Sequence, residues 1–219
     1  MSDSPKVTHT FSSGHSITAL LTLLLAVCVL IDLIAIAFGY SRPLLIAAYF
    51  ITGVVFVIWV DRARRNVLAV GNLGRRFASP WSIALFFVPI FNLYHPYDMV
   101  RELWKQSNPD VGLSDAFLKR HASTLEQYSS KTVLIGLWWG FVIASIVVAR
   151  ISGLLPSDSA ENPALITQSR AGMISDALRV VGSITLIVVV SRIDARLEEK
   201  HRRRALDRPT QQVAHVSRV

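Results

Sequence analysis

Four stretches of this chain are long and apolar enough to cross a lipid bilayer as helices, and nothing else in the sequence limits its fold so strongly. A helix rises ~1.5 Å per residue, so a hydrocarbon core of ~30 Å asks for about 20 mostly apolar residues. Residues 17–40, "ITALLTLLLAVCVLIDLIAIAFGY", carry one charge in 24 positions. Residues 44–60 lie within an 18-residue charge-free stretch that closes on Trp59 beside Asp61 and Arg62, where an interfacial aromatic meets headgroups. Residues 132–150 open with another 18 charge-free positions, Thr132 to Ala149. The fourth stretch, 171–192, holds ten Ile, Leu and Val but also Asp176 and Arg179. Ten aliphatics contribute about −3 to −6 kcal/mol on the insertion scale, against about +5 to +7 for two central charges. Because the two charges stand at i, i+3 in the first half of the segment, they can partly neutralise each other, and the stretch reads as a span.

The run from Trp81 to Tyr94, inside "SPWSIALFFVPIFNLYHPY", has only 14 residues and a proline at 89. It is too short to cross comfortably, and Pro89 removes a helix hydrogen bond near its middle, so residues 80–95 are expected to form a re-entrant or interfacial segment. Lys and Arg counts favour the same topology, because cytoplasmic loops collect them. With four spans and an inside N-terminus, 19 of the 23 Lys and Arg lie inside and three outside. A fifth crossing at 81–94 would divide them 14 to eight. The expected fold is therefore all-α and polytopic: a tail at 1–16, one transmembrane domain over 17–193, and a basic tail at 194–219, with both termini cytoplasmic. Ala35-Ile36-Ala37 has the form of a signal-peptidase site. However, Lys6 is the only basic residue before it, and the apolar run from Ile17 to Ile34 exceeds a signal h-region.

Between spans two and three lie about 70 residues that start "DRARRNVLAVGNLGRRF". Arg62, Arg64, Arg65, Arg75 and Arg76 make this a basic helix just beyond a span, which reads as a topology anchor and a place for anionic headgroups; Gly71 and Gly74 are expected to stop it. Residues 96–107 are expected to form an amphipathic helix with Tyr97, Val100, Leu103 and Trp104 on one stripe and Trp104 at the membrane surface. Residues 114–129 repeat that pattern behind Ser114 as N-cap. In order and spacing, "WVDRARRNVLAVG", "SPWSIALFFVPIFNLYHPYDMVRELW" and "LWWGFVI" resemble the bacterial DUF4328 family. Trp59, Arg62, Asn66, Pro80, Trp81, Pro89, Asn92, Pro96, Glu102 and Trp104 fall on that family's positions. The resemblance implies a multi-pass bacterial membrane protein and no activity, since none is assigned to the family.

Two constellations could carry chemistry. Asp32 and Arg179 each lie eight residues from the outer end of their span, about 12 Å deep at helical rise. Equal depth predicts an ion pair, shared with Asp176, because a lone charge there would be costly; the alternatives are an ion or proton path and separate snorkelling of these side chains to the interface. His95, Asp98 and Glu102 have spacings that could turn an imidazole and two carboxylates the same way, as a metal or acid/base site needs. The plainer account is that Asp98 caps a helix dipole, Glu102 pairs with a neighbouring cation and Asn92 serves carbonyls freed by Pro89. Enzyme motifs such as HExxH, GxSxG and GxxxxGK[ST] are missing, and the single cysteine, Cys28, rules out an intrachain disulfide or a cysteine-rich zinc site. A pI near 10.1 has its explanation in cationic loops rather than nucleic acid. The expected function is that of a non-enzymatic scaffold or sensor of the bacterial plasma membrane. Its expected partners are anionic lipid headgroups and another membrane protein or a second copy, with no cofactor, metal or nucleic acid. A small transporter using Asp32, Asp176 and Arg179, and a lipid-active enzyme using His95, Asp98 and Glu102, are the alternatives.

Overall fold

The computed structural model describes residues 15–38, 42–69, 81–109, 133–154 and 170–216. In chain order these form α1 (His15–Phe38), α2 (Arg42–Ala69), α3 (Trp81–Ala84), a 3-10 turn (Leu85–Phe87), α4 (Pro89–Asn92), α5 (His95–Gln106), α6 (Val133–Leu154) and α7 (Arg170–Val216). No strand occurs among the described residues. His15–Phe38, Leu44–Ala69, Val133–Ile151 and Gly172–Leu206 are long and apolar enough to cross a membrane, so the all-helical class with four helices of spanning length holds among the described residues. The helix expected at 114–129, the glycines at 71 and 74, Arg75, Arg76 and Pro80 lie outside the described residues.

The chain divides into two compact units. The apolar unit comprises residues 17–57 and 132–191. Its first helix shows how a uniformly hydrophobic sequence acquires an inside. Of α1, Thr18, Leu21, Leu25, Cys28, Asp32 and Ala35 are buried, at steps that alternate three and four. That alternation is the seam of a coiled-coil-like packing. The opposite side, with Leu20, Leu23, Val27, Leu30, Leu33 and Phe38, is exposed. Polar groups in this unit point inward instead: Thr52, Ser145, Ser175, Asp176 and Ser183 are all buried. Apolar outside and hydrogen-bonded polar inside is what lipid as solvent demands. Two hydroxyls are served within their own helix, Thr52 Oγ1 donating to the Ala48 carbonyl at 2.8 Å and Ser145 Oγ to that of Val142 at 2.8 Å, while Ser175 Oγ of α7 donates across to the Ser145 carbonyl of α6 at 2.9 Å. Cys28 Sγ lies 3.3 Å from Thr52 Oγ1.

The charge-rich unit comprises residues 1–16, 58–131 and 192–219. Here α5 buries His95, Pro96, Met99, Val100, Leu103 and Trp104, a stripe at helical period. Tyr97, expected on that stripe, is only half-buried, and Met99 joins the stripe instead. Trp104 departs further from expectation. It is 1% exposed, and the Arg196 guanidinium of α7 stands 4.0 Å from its ring centroid. A cation over the ring face supplies the polar partner that a membrane surface was expected to give. Lys200 Nζ, on a wholly buried side chain, donates to the Gln106 carbonyl at 2.5 Å, so a cation serves the C-terminus of α5, where carbonyls lack helical partners.

Between Trp81 and Tyr94 the helix is broken. Val88 is extended (φ −91°, ψ 117°), as a residue before proline prefers, and Pro89 opens α4, where its missing N–H costs nothing. With α3 and α4 of four residues each, about 6 Å of helix apiece, no helix in this segment can cross a bilayer. Turn bonds hold it: Asn92 N–H to Val88 O at 2.8 Å, Tyr94 N–H to Phe91 O at 3.1 Å, and Asp98 N–H to Tyr94 O at 3.1 Å. Val88, Phe91, Asn92, Leu93 and Tyr94 are exposed.

Candidate functional site

The polar network of the apolar unit is built from three helices. The seam of α1 turns Asp32 inward to 0% exposure. From α7, Arg179 Nε and NH2 donate to Asp32 Oδ1 at 3.2 and 3.1 Å. Arg179 NH2 also bonds Asp176 Oδ1 one turn away, and NH1 reaches Ser175 Oγ at 3.2 Å. From α2, Tyr49 donates to the other Asp32 oxygen at 2.5 Å and lies 3.4 Å from Ser183 Oγ, with the guanidinium 5.7 Å from its ring centroid. The structure thus joins Asp32 and Arg179, which the sequence places at equal depth, and adds Asp176 as the second carboxylate on the same guanidinium. Sequence reasoning missed Tyr49, although a signal existed: Asp32 lies nine residues before Ser41 and Tyr49 eight after it, so a hairpin folding there sets them level.

All three donor nitrogens of Arg179 are spent on Asp32, Asp176 and Ser175, and Tyr49 completes the far side of Asp32. Such a network fixes three helices to one another. Tyr49→Phe removes a hydrogen bond to a carboxylate and is expected to lower stability by about 1.5–3 kcal/mol, read by denaturant titration of the chain in nanodiscs. Wild-type stability in that variant would contradict the bonding described here.

In the charge-rich unit, Trp59, Arg62, Ala63 and Asn66 of α2 line a cavity of about 10 Å³ with Asp194 and Leu197 of α7. That is room for about one water. The steps from Trp59 are three, four and seven, one face of a helix, so the motif W-x-x-R-A-x-x-N marks a single stripe turned onto α7. Trp59 and Asn66 are 2% and 3% exposed. Next along α2, Asp61 accepts from Arg64 Nε and NH2 at 3.2 and 2.7 Å and from Arg65. The Arg64 side chain is 7% exposed and that of Arg65 59%.

His95, Asp98 and Glu102 are not gathered into a donor set. His95 is 1% exposed and meets the Phe86 ring edge-on, with centroids 5.4 Å apart. Glu102 accepts from Gln106 Nε2 at 2.9 Å. Asp98 sits half-buried in the first turn of α5. Among the described residues, the His and carboxylate donors within 4.8 Å of one another are instead those of His15, Asp194 and Glu198. That group is invisible in sequence, because His15 stands 179 residues before Asp194.

Four apolar helices with polar groups turned inward define a multi-span helical membrane protein. The chain belongs to the family described as "Domain of unknown function (DUF4328)", whose profile matches residues 30–195. No curated protein and no solved structure matches it.

Proposed function

We propose that this protein is a non-enzymatic scaffold or sensor of the bacterial plasma membrane, and that its working element is the proline-broken segment, which engages lipid at the cytoplasmic leaflet. One observation carries the reading. Val88, Phe91, Leu93 and Tyr94 are 40%, 41%, 59% and 44% exposed, whereas α5 directly behind them is anchored in a protein core by Met99, Val100, Leu103 and Trp104. Large apolar side chains exposed on a firmly held base suit the acyl–headgroup boundary, and spans in the same chain keep them close to a bilayer. The 19-to-three distribution of Lys and Arg supports a cytoplasmic setting with both termini inside. Of the arginines expected to meet headgroups, Arg65 is the better placed, since Arg64 is buried on Asp61. The enzyme alternative loses support from His95, which is turned into the core against Phe86.

The test is depth-resolved quenching in nanodiscs. With Cys28 replaced by Ser, a fluorophore on Phe91→Cys is expected to be quenched by nitroxides near the headgroup end of the acyl chain and shielded from aqueous iodide. The same fluorophore on Lys105→Cys, an exposed position of α5, should show the reverse. Quenching of the Phe91 probe by iodide alone, or by neither quencher, would overturn the proposal.

A further inference from the structure

We infer that His15, Asp194 and Glu198 form a binding site for a divalent transition-metal cation of the Zn²⁺ or Mn²⁺ type, beside the cavity lined by the family motif. Asp194 and Glu198 are one turn apart on α7 and present their carboxylates on the same face. His15, the first residue of α1, enters from a separate helix. Its Nδ1 lies 3.4 Å from Asp194 Oδ2 and its Nε2 2.6 Å from Glu198 Oε1, with the three prospective ligand atoms all within 4.8 Å of one another.

Chemistry narrows what such a group can hold. A neutral imidazole has one N–H and can donate to only one of these two carboxylates. A dication bound through one ring nitrogen and an oxygen from each carboxylate would compensate both negative charges at once. One nitrogen and two anionic oxygens suit the borderline cation Zn²⁺, or the harder Mn²⁺ through its carboxylates, better than Ca²⁺, which takes six to eight oxygens, or Cu(I), which prefers sulfur.

Exposure fits the same use. The Asp194 side chain is 9% exposed and that of Glu198 33%, while that of His15 is 69% exposed. Two ligands are thus held by a packed helix, and the third can turn to bring its nitrogen within the ~2.0–2.1 Å of a metal–imidazole bond. Water has access to the remaining coordination positions from the His15 side. Asp194 also lines the cavity of Trp59, Arg62 and Asn66, so a metal here shares one wall with the family motif.

The experiment uses the full chain without an affinity tag, purified in nanodiscs, stripped with chelator and titrated with Zn²⁺ and with Mn²⁺ by calorimetry. One equivalent is expected to bind and to raise the unfolding temperature, since a ligand of the folded state alone stabilises it. His15→Ala and Glu198→Gln should each weaken binding by about 100-fold or more, because losing a ligand exceeds the 10–100-fold cost of losing an outer partner. His201→Ala, at an exposed histidine of α7 outside the site, should leave binding unchanged. His15 is exposed, so its alanine variant is expected to fold, and an unfolding temperature equal to that of the metal-free wild type checks this. Absence of binding, binding that survives His15→Ala, or binding abolished by His201→Ala would each overturn the site. None of these outcomes depends on lipid contact at Phe91.

Discussion

Arg179→Met should cost the folded state about 3–5 kcal/mol, the price of leaving buried charges without their partner. Asp32 and Asp176 are 0% and 4% exposed and both accept from that guanidinium; methionine keeps the length of the side chain and supplies no donor. Membrane-inserted protein should fall severely, as read by quantitative blotting of membrane fractions. Arg179→Lys should restore only part of the loss, because an ammonium cannot reproduce the fork that joins Asp32, Asp176 and Ser175. Asp32→Arg combined with Arg179→Asp should accumulate better than either single reversal. Additive losses in the double variant would show that the two side chains do not depend on each other.

A loss of similar size, about 3–5 kcal/mol, is expected from Trp104→Ala. The change empties the largest buried side chain of α5 and strips Arg196 of the ring beneath it. Trp104→Phe should be much milder: it keeps a ring under the guanidinium and removes an indole N–H that is buried with no hydrogen-bond partner among the described residues. Coupling between Trp104→Ala and Arg196→Gln in a double-mutant cycle should come to about 0.5–2 kcal/mol, the worth of a cation–π contact. If Trp104→Ala matched the wild type in denaturant titration, the packing of α5 on α7 described here would be wrong.

The spans were legible because lipid imposes a length and an apolar content that a chain cannot disguise, and the pairing of Asp32 with Arg179 followed because depth in a bilayer can be counted in residues. Val88-Pro89 was legible as a break for a different reason, since proline restricts its own backbone and that of the residue before it. Trp104 was misplaced because a tryptophan near a span suits a headgroup boundary and a cation equally well. Arg196, its partner, lies 92 positions away, with no rule of spacing to connect them. His15 was hidden in the same way. Local pattern shows which face of a helix is special, but which distant face it meets is decided by tertiary packing.

The seam of α1 gives this protein a tolerance to change that is angular rather than compositional. Moving the carboxylate from position 32 to position 33 would alter neither the length of the helix nor its amino-acid content, and a hydropathy profile would scarcely register it. The charge would nevertheless swing by about 100°, out of the seam and onto the side where Leu33 is 49% exposed. There it would face acyl chains at roughly 2.5–3.5 kcal/mol and leave Arg179 and Tyr49 directed at a leucine that can accept no hydrogen bond. Two versions of this helix indistinguishable by composition would thus differ in whether the bundle closes.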